Sequence, residues 1–385
     1  MIPYGRQDIT AADLAAVDAT LKSDLITQGP AIGAFETALS QTCDAAHTVV
    51  MSSATAALHV AYMALDLKPG DIVWTSPNTF VATSNAALYC GADVDFVDID
   101  PVTYNLSLDL LEEKLATAEK SGKLPAIVTP VHFAGQSCDM KRFDALKQKY
   151  GFKVVEDASH AIGGSYGNAP VGNCAHSDIT IFSFHPVKII TTAEGGAALT
   201  NDPELARKME ILRSHGIPRD PNHMEGESNG PWYYQQIALG YNYRMTDIQA
   251  ALGTSQITRL ASYIDARHAR REVYDTQLAD LPITLPVQPA FQRSSLHLYP
   301  ILVNEDAPVT RADAFTRLRE LGIGVNVLYI PVTLQPYYRK LGFGPGDCPV
   351  AEDYYNRMLT IPMYATLTEQ DQATVILQLN TVFAS

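Results

Sequence analysis

The sequence predicts an α/β protein with a mostly parallel central sheet and a smaller C-terminal α+β domain. Three observations support this prediction. Short apolar runs alternate with longer helical patterns between residues 47 and 200, as in parallel sheets that are covered by helices on both faces. The pattern changes after Pro282, and 385 residues exceed the size at which a single hydrophobic core stops growing. We therefore expect two domains, at residues 1–250 and 251–385.

Apolar runs of four to six residues predict the strands of the larger domain. They span residues 47–51, 72–75, 94–97, 126–130, 154–157, 179–184 and 196–200. Helical patterns separate several of them, at residues 54–65, 108–118 and 140–150. In the C-terminal part, residues 297–303 and 324–330 are predicted strands, and residues 311–321 and 370–382 are predicted helices. A segment rich in glycine, proline and asparagine, residues 216–230, is a predicted loop.

Composition excludes several classes of function. A formal charge of −14 argues against nucleic acid or an anionic membrane as the main partner. The five cysteines are widely spaced and form no C-x-x-C pair, so neither a disulfide framework nor a metal site is expected. We see no signal peptide and no apolar run of the roughly 18 residues that a membrane span requires. A cytoplasmic location is the expectation.

A lysine and an aspartate that follow two predicted strands are the strongest functional signal. Asp157 ends the apolar run 152–157, and Lys188 follows the run 179–184. A pyridoxal phosphate (PLP) enzyme needs this pair, because a lysine holds the aldehyde covalently and a carboxylate keeps the pyridine nitrogen protonated. Carboxyl ends of parallel strands meet at one edge of a sheet, where ligands collect. The pair therefore predicts a PLP site at that edge.

Small and hydroxyl-bearing residues follow the first predicted strand. Ser53, Ala54 and Thr55 stand where that strand joins a helix, and free N–H groups at a helix start bind phosphate. An ordinary helix N-cap is the alternative reading of the same residues. Ser183 precedes Lys188 by five positions and is a further candidate phosphate ligand.

Two ring-bearing residues also follow predicted strands. Phe80 could stack on the pyridine ring, or it could belong to the hydrophobic core. His160 comes shortly after Asp157 and could contact the ring, or it could be a satisfied buried histidine. Glu156 should face away from the site, because neighbouring strand residues point to opposite faces of a sheet.

Taken together, these residues resemble the DegT/StrS-type nucleotide-sugar aminotransferases, a branch of the fold-type I PLP-dependent transferases. The matching segments run through nearly the whole chain, at residues 27–30, 53–55, 77–83, 156–161, 183–188, 194–196, 240–245, 297–299 and 334–338. Within this family, residues 184–188, 190–192 and 213–217 are most similar to the aminotransferases that act in pseudaminic acid biosynthesis. Those enzymes aminate C4 of a UDP-linked 4-keto-6-deoxy-N-acetylhexosamine, with L-glutamate as donor.

The resemblance implies roles for individual residues. Lys188 would bind PLP covalently and shuttle the proton, with pyridoxamine phosphate (PMP) as the intermediate form, and Asp157 would pair with the pyridinium. The phosphate would be held by Ser183 and Thr55, and Asn242 would reach it across a homodimer interface, so that each site needs two subunits. The stretches that match the nucleotide-sugar contacts of the family comprise Tyr4, Asp24, Leu25, Ile26, Thr27, Asn326, Val327, Leu328 and Tyr329.

Two departures from the family leave the substrate open. Leu328 and Thr333 stand where many relatives carry histidines. The same chemistry on a dTDP- or GDP-linked 4-keto sugar, or on a 3-keto sugar, is therefore an alternative. A PLP-binding regulatory protein without catalysis is a second one. The 3-dehydratases of the family are disfavoured, because they replace the lysine with histidine and Lys188 is present here.

Overall fold

The computed structural model describes residues 1–218 and 220–383. The strands are, in chain order, β1 (His47–Met51), β2 (Ile72–Thr75), β3 (Asp93–Phe96), β4 (Ile127–Thr129), β5 (Lys153–Asp157), β6 (Ser165–Tyr166), β7 (Ala169–Pro170), β8 (Ile179–Ser183), β9 (Gly196–Thr200), β10 (Ile283–Thr284), β11 (Gln292–Arg293), β12 (Tyr299–Val303) and β13 (Met358–Ile361). The predicted strands of the larger domain are all present, and their ends are identical to the prediction or differ from it by one residue.

Several of the α-helices begin after a residue whose side chain caps them. They are α1 (Ala11–Leu21), α2 (Pro30–Cys43), α3 (Ala54–Ala64), α4 (Ala82–Tyr89), α5 (Leu108–Ser121), α6 (Met140–Tyr150), α7 (Pro203–Leu212), α8 (Asp247–Ile257), α9 (Leu260–Gln277), α10 (Arg311–Glu320), α11 (Pro336–Lys340), α12 (Pro349–Arg357) and α13 (Glu369–Phe383). The side chains of Ser107, Asp202 and Thr246 cap α5, α7 and α8. None of the described helices is both long and apolar enough to cross a membrane.

The central sheet has seven strands in the order β1-β9-β8-β5-β4-β2-β3. The pairs β2–β3, β2–β4, β4–β5 and β5–β8 are parallel, whereas β9 is antiparallel to both of its neighbours. The prediction of a mostly parallel sheet is confirmed. As a result, the carboxyl ends of β2, β4, β5 and β8 open at the same edge.

Helices cover both faces of this sheet. Alternate residues of β8 point to opposite sides, so Phe182 packs with Phe35 of α2 while Ile181 packs with Leu58 of α3 and Met209 of α7. All the residues of β8 and β9 are buried. Burial on two faces explains why these strands read as continuous apolar runs rather than as alternating ones.

A smaller sheet forms the core of the C-terminal part, in the order β10-β12-β13 with antiparallel pairing. Helices α10 and α13 pack beside it, and Tyr274 and Leu278, at the end of α9, belong to its hydrophobic cluster. Helix α8 packs against α1 and α2 instead. The chain start joins the C-terminal part, because Ile2 pairs with Ile323. The division into residues 1–250 and 251–385 stays a prediction, and residues 384 and 385 lie outside the described residues.

The predicted strand at residues 324–330 is wrong. Only Asn326 forms a bridge, to Thr360 in β13. Beyond it, side chains bind the backbone in place of a neighbouring strand. The N–H of Leu328 donates to Sδ of Met358 at 3.1 Å, and that of Tyr329 donates to the side-chain oxygen of Asn78. The segment therefore leaves the sheet and runs toward the edge where the parallel strands end.

The predicted strand 297–303 begins two residues late, at Tyr299. The carbonyl of His297 accepts a hydrogen bond from Arg267, and the N–H of Leu298 donates to the carbonyl of Ala134. These groups are consequently not free to join a ladder. The predicted loop 216–230 contains no α-helix or strand in its described part, and Arg219 lies outside the described residues.

Candidate active site

A cavity of about 470 Å³ opens at the carboxyl ends of the parallel strands. Its size falls within the range of small-molecule sites. The structure brings most of the predicted site residues into its lining: Tyr4, Ser53, Ala54, Thr55, Phe80, Asp157, His160, Ser183, Lys188, Leu328 and Tyr329. Residues that are scattered over more than 300 positions of the sequence therefore meet at one place.

Lys188 lies on the connection between β8 and β9, and this connection is closed at its base. The N–H of Phe184 donates to the carbonyl of Gly195. The carbonyl of Phe184 accepts two hydrogen bonds, one from the N–H of Thr192 and one from the hydroxyl of Thr191. Nζ of Lys188 has no hydrogen-bond or ion-pair partner among the residues that the structure describes. Burial in the cavity lowers the pKa of Lys188 to about 8, although the negative charge of Asp157 opposes this shift.

Asp157 ends β5 with its carboxylate in the cavity. The carboxylate accepts two hydrogen bonds, one from the hydroxyl of Thr83 at 2.6 Å and one from the N–H of Ser159 at 3.1 Å. Both donors are uncharged. Its nearest cationic group in the cavity is Lys188, at a distance too long for an ion pair. The carboxylate is thus oriented by neutral donors and is available to a cationic group that enters the cavity.

Glu156, the preceding residue, points to the other face of the sheet, as the strand alternation predicts. Its carboxylate is bound by His132 at 2.6 Å and by the hydroxyls of Ser177 and Thr180. Burial alone would raise the pKa of Glu156, but the hydrogen bonds from these three residues outweigh burial and hold that pKa below its ordinary value. Glu156 is a satisfied structural residue, so the two neighbouring carboxylates have separate surroundings.

One end of the cavity is formed by the start of α3. Oγ of Ser53 accepts a hydrogen bond from the N–H of Ala56 and caps the helix. The ordinary N-cap, the alternative reading of this segment, is therefore present, and it forms part of the cavity wall. The Ser53 hydroxyl proton is still free to donate to an anion, as are the first N–H groups of the helix. A Cβ at Gly196 would lie 2.4 Å from the nitrogen of Ala54, so only glycine lets β9 and Ser183 approach this turn.

Phe80 and His160 both line the cavity, but Phe80 is exposed and His160 is buried. Phe80 is 60% exposed, so it is not a core residue, and its ring centre lies 6.3 Å from that of Tyr329. His160 is buried and accepts the N–H of Ala134 at Nδ1, which leaves its proton on Nε2 for the Tyr329 hydroxyl at 3.1 Å. Burial and the charge of Lys188 keep the pKa of His160 well below its ordinary value. His160 is therefore a neutral, satisfied histidine that also borders the cavity.

Several further residues line or support the cavity and were not predicted as site residues. The additional lining residues include Leu58, Thr79, Ala82, Thr83, Val131, Ser159, His185, Val187 and Glu194. His297 packs behind His160, with ring centres 4.5 Å apart. Thr79 lies in the turn before α4 and Thr83 in its first turn, so no helical spacing in the sequence indicated this part of the wall.

Seven predicted residues lie outside the cavity of this chain. Asp24, Leu25, Ile26, Thr27 and Asn242 are exposed, and Asn326 and Val327 are partly buried beside the small sheet. The segment 24–27 and the segment containing Asn242 adjoin each other, because Thr27 pairs with Thr246. A second cavity, of about 510 Å³, lies beside them and is lined by Glu36, Arg213 and Arg244 among others, without the lysine and aspartate pair.

The residues of the first cavity fit PLP. A hydroxyl-lined helix start that only glycine can approach suits a phosphate, an exposed phenyl face suits a ring, and an unpartnered lysine suits an aldehyde. Asp157 offers a carboxylate in the same cavity, which suits a protonated ring nitrogen. No cationic group other than Lys188 competes for Asp157 within the described lining of this cavity.

Comparison with known proteins identifies the family of this chain. The model of the DegT/DnrJ/EryC1/StrS aminotransferase family matches residues 7–380. A Campylobacter jejuni protein named UDP-4-amino-4,6-dideoxy-N-acetyl-beta-L-altrosamine transaminase is 38% identical over 373 residues, which cover 96% of this chain and 94% of that protein.

Solved structures give the same result. Helicobacter pylori PseC, an aminotransferase involved in the biosynthesis of pseudoaminic acid, has a TM-score of 0.91 and 30% identity, and the match covers 100% of this chain and 99% of that one. Spr1654 of Streptococcus pneumoniae, assigned as a sugar aminotransferase, has a TM-score of 0.91 in its PMP form, with 31% identity and the same coverage, and it is also known in a PLP form. The matches span both parts of the fold. This chain is accordingly an enzyme of the transferase class, and it belongs to the DegT/DnrJ/EryC1/StrS aminotransferase family.

Proposed function

We propose that this protein is a PLP-dependent aminotransferase that moves the amino group of L-glutamate to C4 of a UDP-linked 4-keto-6-deoxy-N-acetylhexosamine. The observation that carries the chemistry is that Lys188 and Asp157 line one cavity together with the exposed ring of Phe80. The choice of sugar is supported by relatives that are 37% and 38% identical and carry the name of that transaminase.

PLP, when bound, supplies an electron sink for the bond changes at the amino-bearing carbon. Lys188 would hold the cofactor and then move the proton between substrate and cofactor. Its lowered pKa, about 8, suits this role, because a usable fraction of the amine is neutral near physiological pH and can act as nucleophile and base. The closed base of its loop keeps Nζ directed into the cavity.

Asp157 would keep a proton on the ring nitrogen of the cofactor. An anion at this position stabilises the positive charge on the ring and so strengthens the electron sink. Thr83 and Ser159 hold the carboxylate from the sides. Phe80 would cover one face of the ring, and neutral His160 would contact its edge.

The start of α3 would bind the phosphate. Ser53, Ala54 and Thr55 offer a hydroxyl and free N–H groups, and Ser183 adds a second hydroxyl from the end of β8. Asn242 is exposed on its own chain and lies outside the cavity lining, so we propose that it serves the phosphate of a partner subunit. Each active site would then need two copies of the chain.

Surface composition supports a homodimer. Trp232 is 75% exposed and Leu239 is 74% exposed, and Tyr234 lies beside them on the segment that precedes Asn242. We propose that these side chains belong to one apolar patch, because contiguous exposed apolar surface marks a protein contact. A second copy would cover them while delivering Asn242 to its neighbour.

The sugar would occupy the side of the cavity formed by Tyr4, Leu328 and Tyr329. Leu328 faces this space where many relatives carry histidine, so it offers an apolar contact in place of a donor. Thr333 is different, since it is buried and absent from the cavity lining. Only the Leu328 departure therefore bears directly on the choice of sugar. We include Asp24, Leu25, Ile26, Thr27, Asn326 and Val327 as contacts that need the partner subunit or a closed state.

The absorbance spectrum of the purified protein tests this proposal. With PLP bound we expect a band near roughly 400–430 nm, which glutamate should shift to near 330 nm. Addition of UDP-4-keto-6-deoxy-N-acetylhexosamine should restore the first band. If only a dTDP-, GDP- or 3-keto sugar restores it, the chemistry stands and the substrate changes. A protein that binds PLP but does not respond to glutamate would support a regulatory role, and a protein without a band after PLP supplementation would refute the proposal.

A further inference from the structure

The shortest hydrogen bond to Asp157 comes from Thr83, a residue that the sequence analysis did not single out. The hydroxyl oxygen of Thr83 lies 2.6 Å from Oδ2 of Asp157, and both residues are buried. Thr83 is fully inaccessible, in the first turn of α4. A hydroxyl bonded to an ionised carboxylate at this distance is a strong, charge-assisted hydrogen bond.

The direction of donation around Thr83 is determined by its neighbours. A threonine hydroxyl has one proton, and an ionised carboxylate can only accept. Thr83 therefore donates to Asp157 rather than to the carbonyl of Phe80, which is 3.3 Å away. Thr79, whose hydroxyl oxygen lies 2.8 Å from that of Thr83, must then donate to Thr83. The three side chains form a relay in which every hydroxyl points toward the carboxylate.

Two more buried groups fix the position of Thr83. The hydroxyl of Tyr62 donates to the backbone carbonyl of Thr83 at 3.1 Å and accepts from the hydroxyl of Thr129 at 2.8 Å. Tyr62 is fully inaccessible and lies on α3, whereas Thr129 ends β4. The first turn of α4 is thus attached to two neighbouring elements, so Thr83 has little freedom to turn away from Asp157.

We propose that Thr83 is a positioning residue for the amino-transfer reaction, which holds the Asp157 carboxylate toward the ring nitrogen of the cofactor. The inference rests on the proposed function. Loss of the hydroxyl would free Oδ2 to rotate and would remove a donor that stabilises the anion. Contact with the ring nitrogen should weaken, whereas contacts with the phosphate and the aldehyde should remain.

The test compares two cofactors that differ only at the ring nitrogen. The dissociation constants of PLP and of 1-deaza-pyridoxal phosphate, which has C–H in place of the nitrogen, are measured for the wild type and for Thr83→Val. We expect the variant to bind PLP roughly tenfold more weakly, the size of effect that one charge-assisted hydrogen bond supports. Its affinity for the deaza analogue should stay within about twofold, because that analogue makes no contact that depends on Asp157.

Matched variants separate positioning from general damage. Thr83→Ser retains the hydroxyl and should restore the preference for PLP over the deaza analogue. Thr200→Val removes a buried hydroxyl far from the cavity, one that donates to the carbonyl of Asp178, and should leave both dissociation constants unchanged. If Thr83→Val does not fold, Thr83→Ala takes its place. In the Asp157→Asn background, Thr83→Val should have no further effect on the PLP constant.

Two results would overturn the inference. One is an equal loss of affinity for both cofactors, which would show that Thr83 only shapes the cavity. The other is unchanged PLP binding in Thr83→Val. Failure of the proposed function is distinct, because the wild type itself would then bind no PLP or would fail to respond to glutamate.

Discussion

At the scale of single residues, the surroundings of Lys188 determine the reactivity of its amine. Lys188 is one of many lysines, but its amine lies desolvated in a cavity without a hydrogen-bond partner among the described residues. Desolvation destabilises its charged form, and Asp157 compensates only in part. Exposed lysines such as Lys22, which pairs with Asp18 at the surface, have no comparable desolvation.

This difference predicts a pH-dependent reactivity for Lys188. Only the neutral amine attacks an aldehyde, so the rate at which the cofactor-free protein is labelled by PLP and borohydride should rise with pH and level off above about 8. At pH 6 the rate should be about a hundredfold below the plateau, since two pH units below the pKa leave about 1% of the amine neutral.

Peptide mapping of the labelled protein provides the measurement. A short lysine-containing peptide is labelled in parallel, and its labelling should keep rising past pH 9, because an unperturbed lysine titrates near 10.4. Lys188→Ala should remove the pH 8 component and leave the rest. A plateau for Lys188 only above pH 10 would contradict the prediction.

Thr333 carries a buried hydroxyl group that neither lines the cavity nor forms a hydrogen bond with a described residue. The residue is fully inaccessible. Thr333→Val, which has nearly the same shape, should therefore raise the free energy of unfolding by about 1 kcal/mol in urea titrations. Thr200→Val should lower it by about 1 kcal/mol, because its hydroxyl donates to the carbonyl of Asp178. Equal effects of the two changes would refute this explanation.

Sequence reasoning at this scale found the residues that end strands. Lys188, Asp157, Ser53 and Phe80 were predictable because strand ends converge on one edge of a parallel sheet. Thr83 was not, since its contact with Asp157 depends on how α4 is rotated against β5. No periodicity in the sequence determines that rotation.

At the scale of elements, the close packing of α2 against α8 supports the cavity from behind. Gly253 of α8 faces the ring of Phe35 in α2, and a Cβ there would lie 2.5 Å from that ring. Phe35 in turn contacts Phe184, with ring centres 5.2 Å apart, and the carbonyl of Phe184 anchors the loop that carries Lys188. A displacement at the helix pair would therefore reach the site.

Gly253→Ala should accordingly destabilise the protein, although alanine favours helices. Overpacking against Phe35 costs about 1–3 kcal/mol, which exceeds the helix-propensity gain of about 1 kcal/mol. Gly33→Ala in α2 is the matched control, since a Cβ there meets nothing within 4 Å and the change should stabilise by up to about 1 kcal/mol. Urea unfolding measures both, and stabilisation by Gly253→Ala would contradict the packing argument.

The predicted elements failed where side chains replaced strand partners. Residues 324–330 have the apolar composition of a strand, but Met358 and Asn78 bind their N–H groups. Composition indicates that a segment is extended and partly buried. It does not indicate which groups form hydrogen bonds with the backbone of that segment. Helix α6, by contrast, has the predicted bounds, because Asp139 and Gly151 mark its ends locally.

At the scale of the whole molecule, the distribution of site residues argues for two subunits. The cavity contains the predicted cofactor ligands except Asn242, which is exposed between Tyr241 and Tyr243. The rings of these tyrosines stack at 4.9 Å and pack on His59, so the Asn242 backbone is held firmly although its side chain serves no described contact. A rigid residue that faces outward suits a neighbouring chain.

A mixing experiment tests this arrangement. Lys188→Ala and Asn242→Asp should each be nearly inactive, the second because a carboxylate repels the cofactor phosphate. Refolding the two together should restore about a quarter of wild-type activity, since half of randomly formed dimers are mixed and each mixed dimer has one intact site.

Sedimentation analysis should give twice the 41.9 kDa mass of one chain for both variants. If the mixture gains no activity while mixed dimers form, each chain completes its own site and the role of Asn242 is wrong. The dimer itself could be inferred only weakly from sequence, because exposed aromatic residues are recognisable only after the fold shows which side chains are outside.

The antiparallel strand β9 has a consequence for how this family of chains can change in length. The parallel pairs β2–β3 and β4–β5 are joined by crossovers that contain α4 and α6, and such helices accept an added turn without altering the strands. Lys188 lies instead on a hairpin-like return of twelve residues between Ser183 and Gly196, both of which are paired with each other. One inserted residue would shift that pairing and exchange the two faces of a strand. Insertions and deletions in relatives should therefore gather in the crossovers and spare this return.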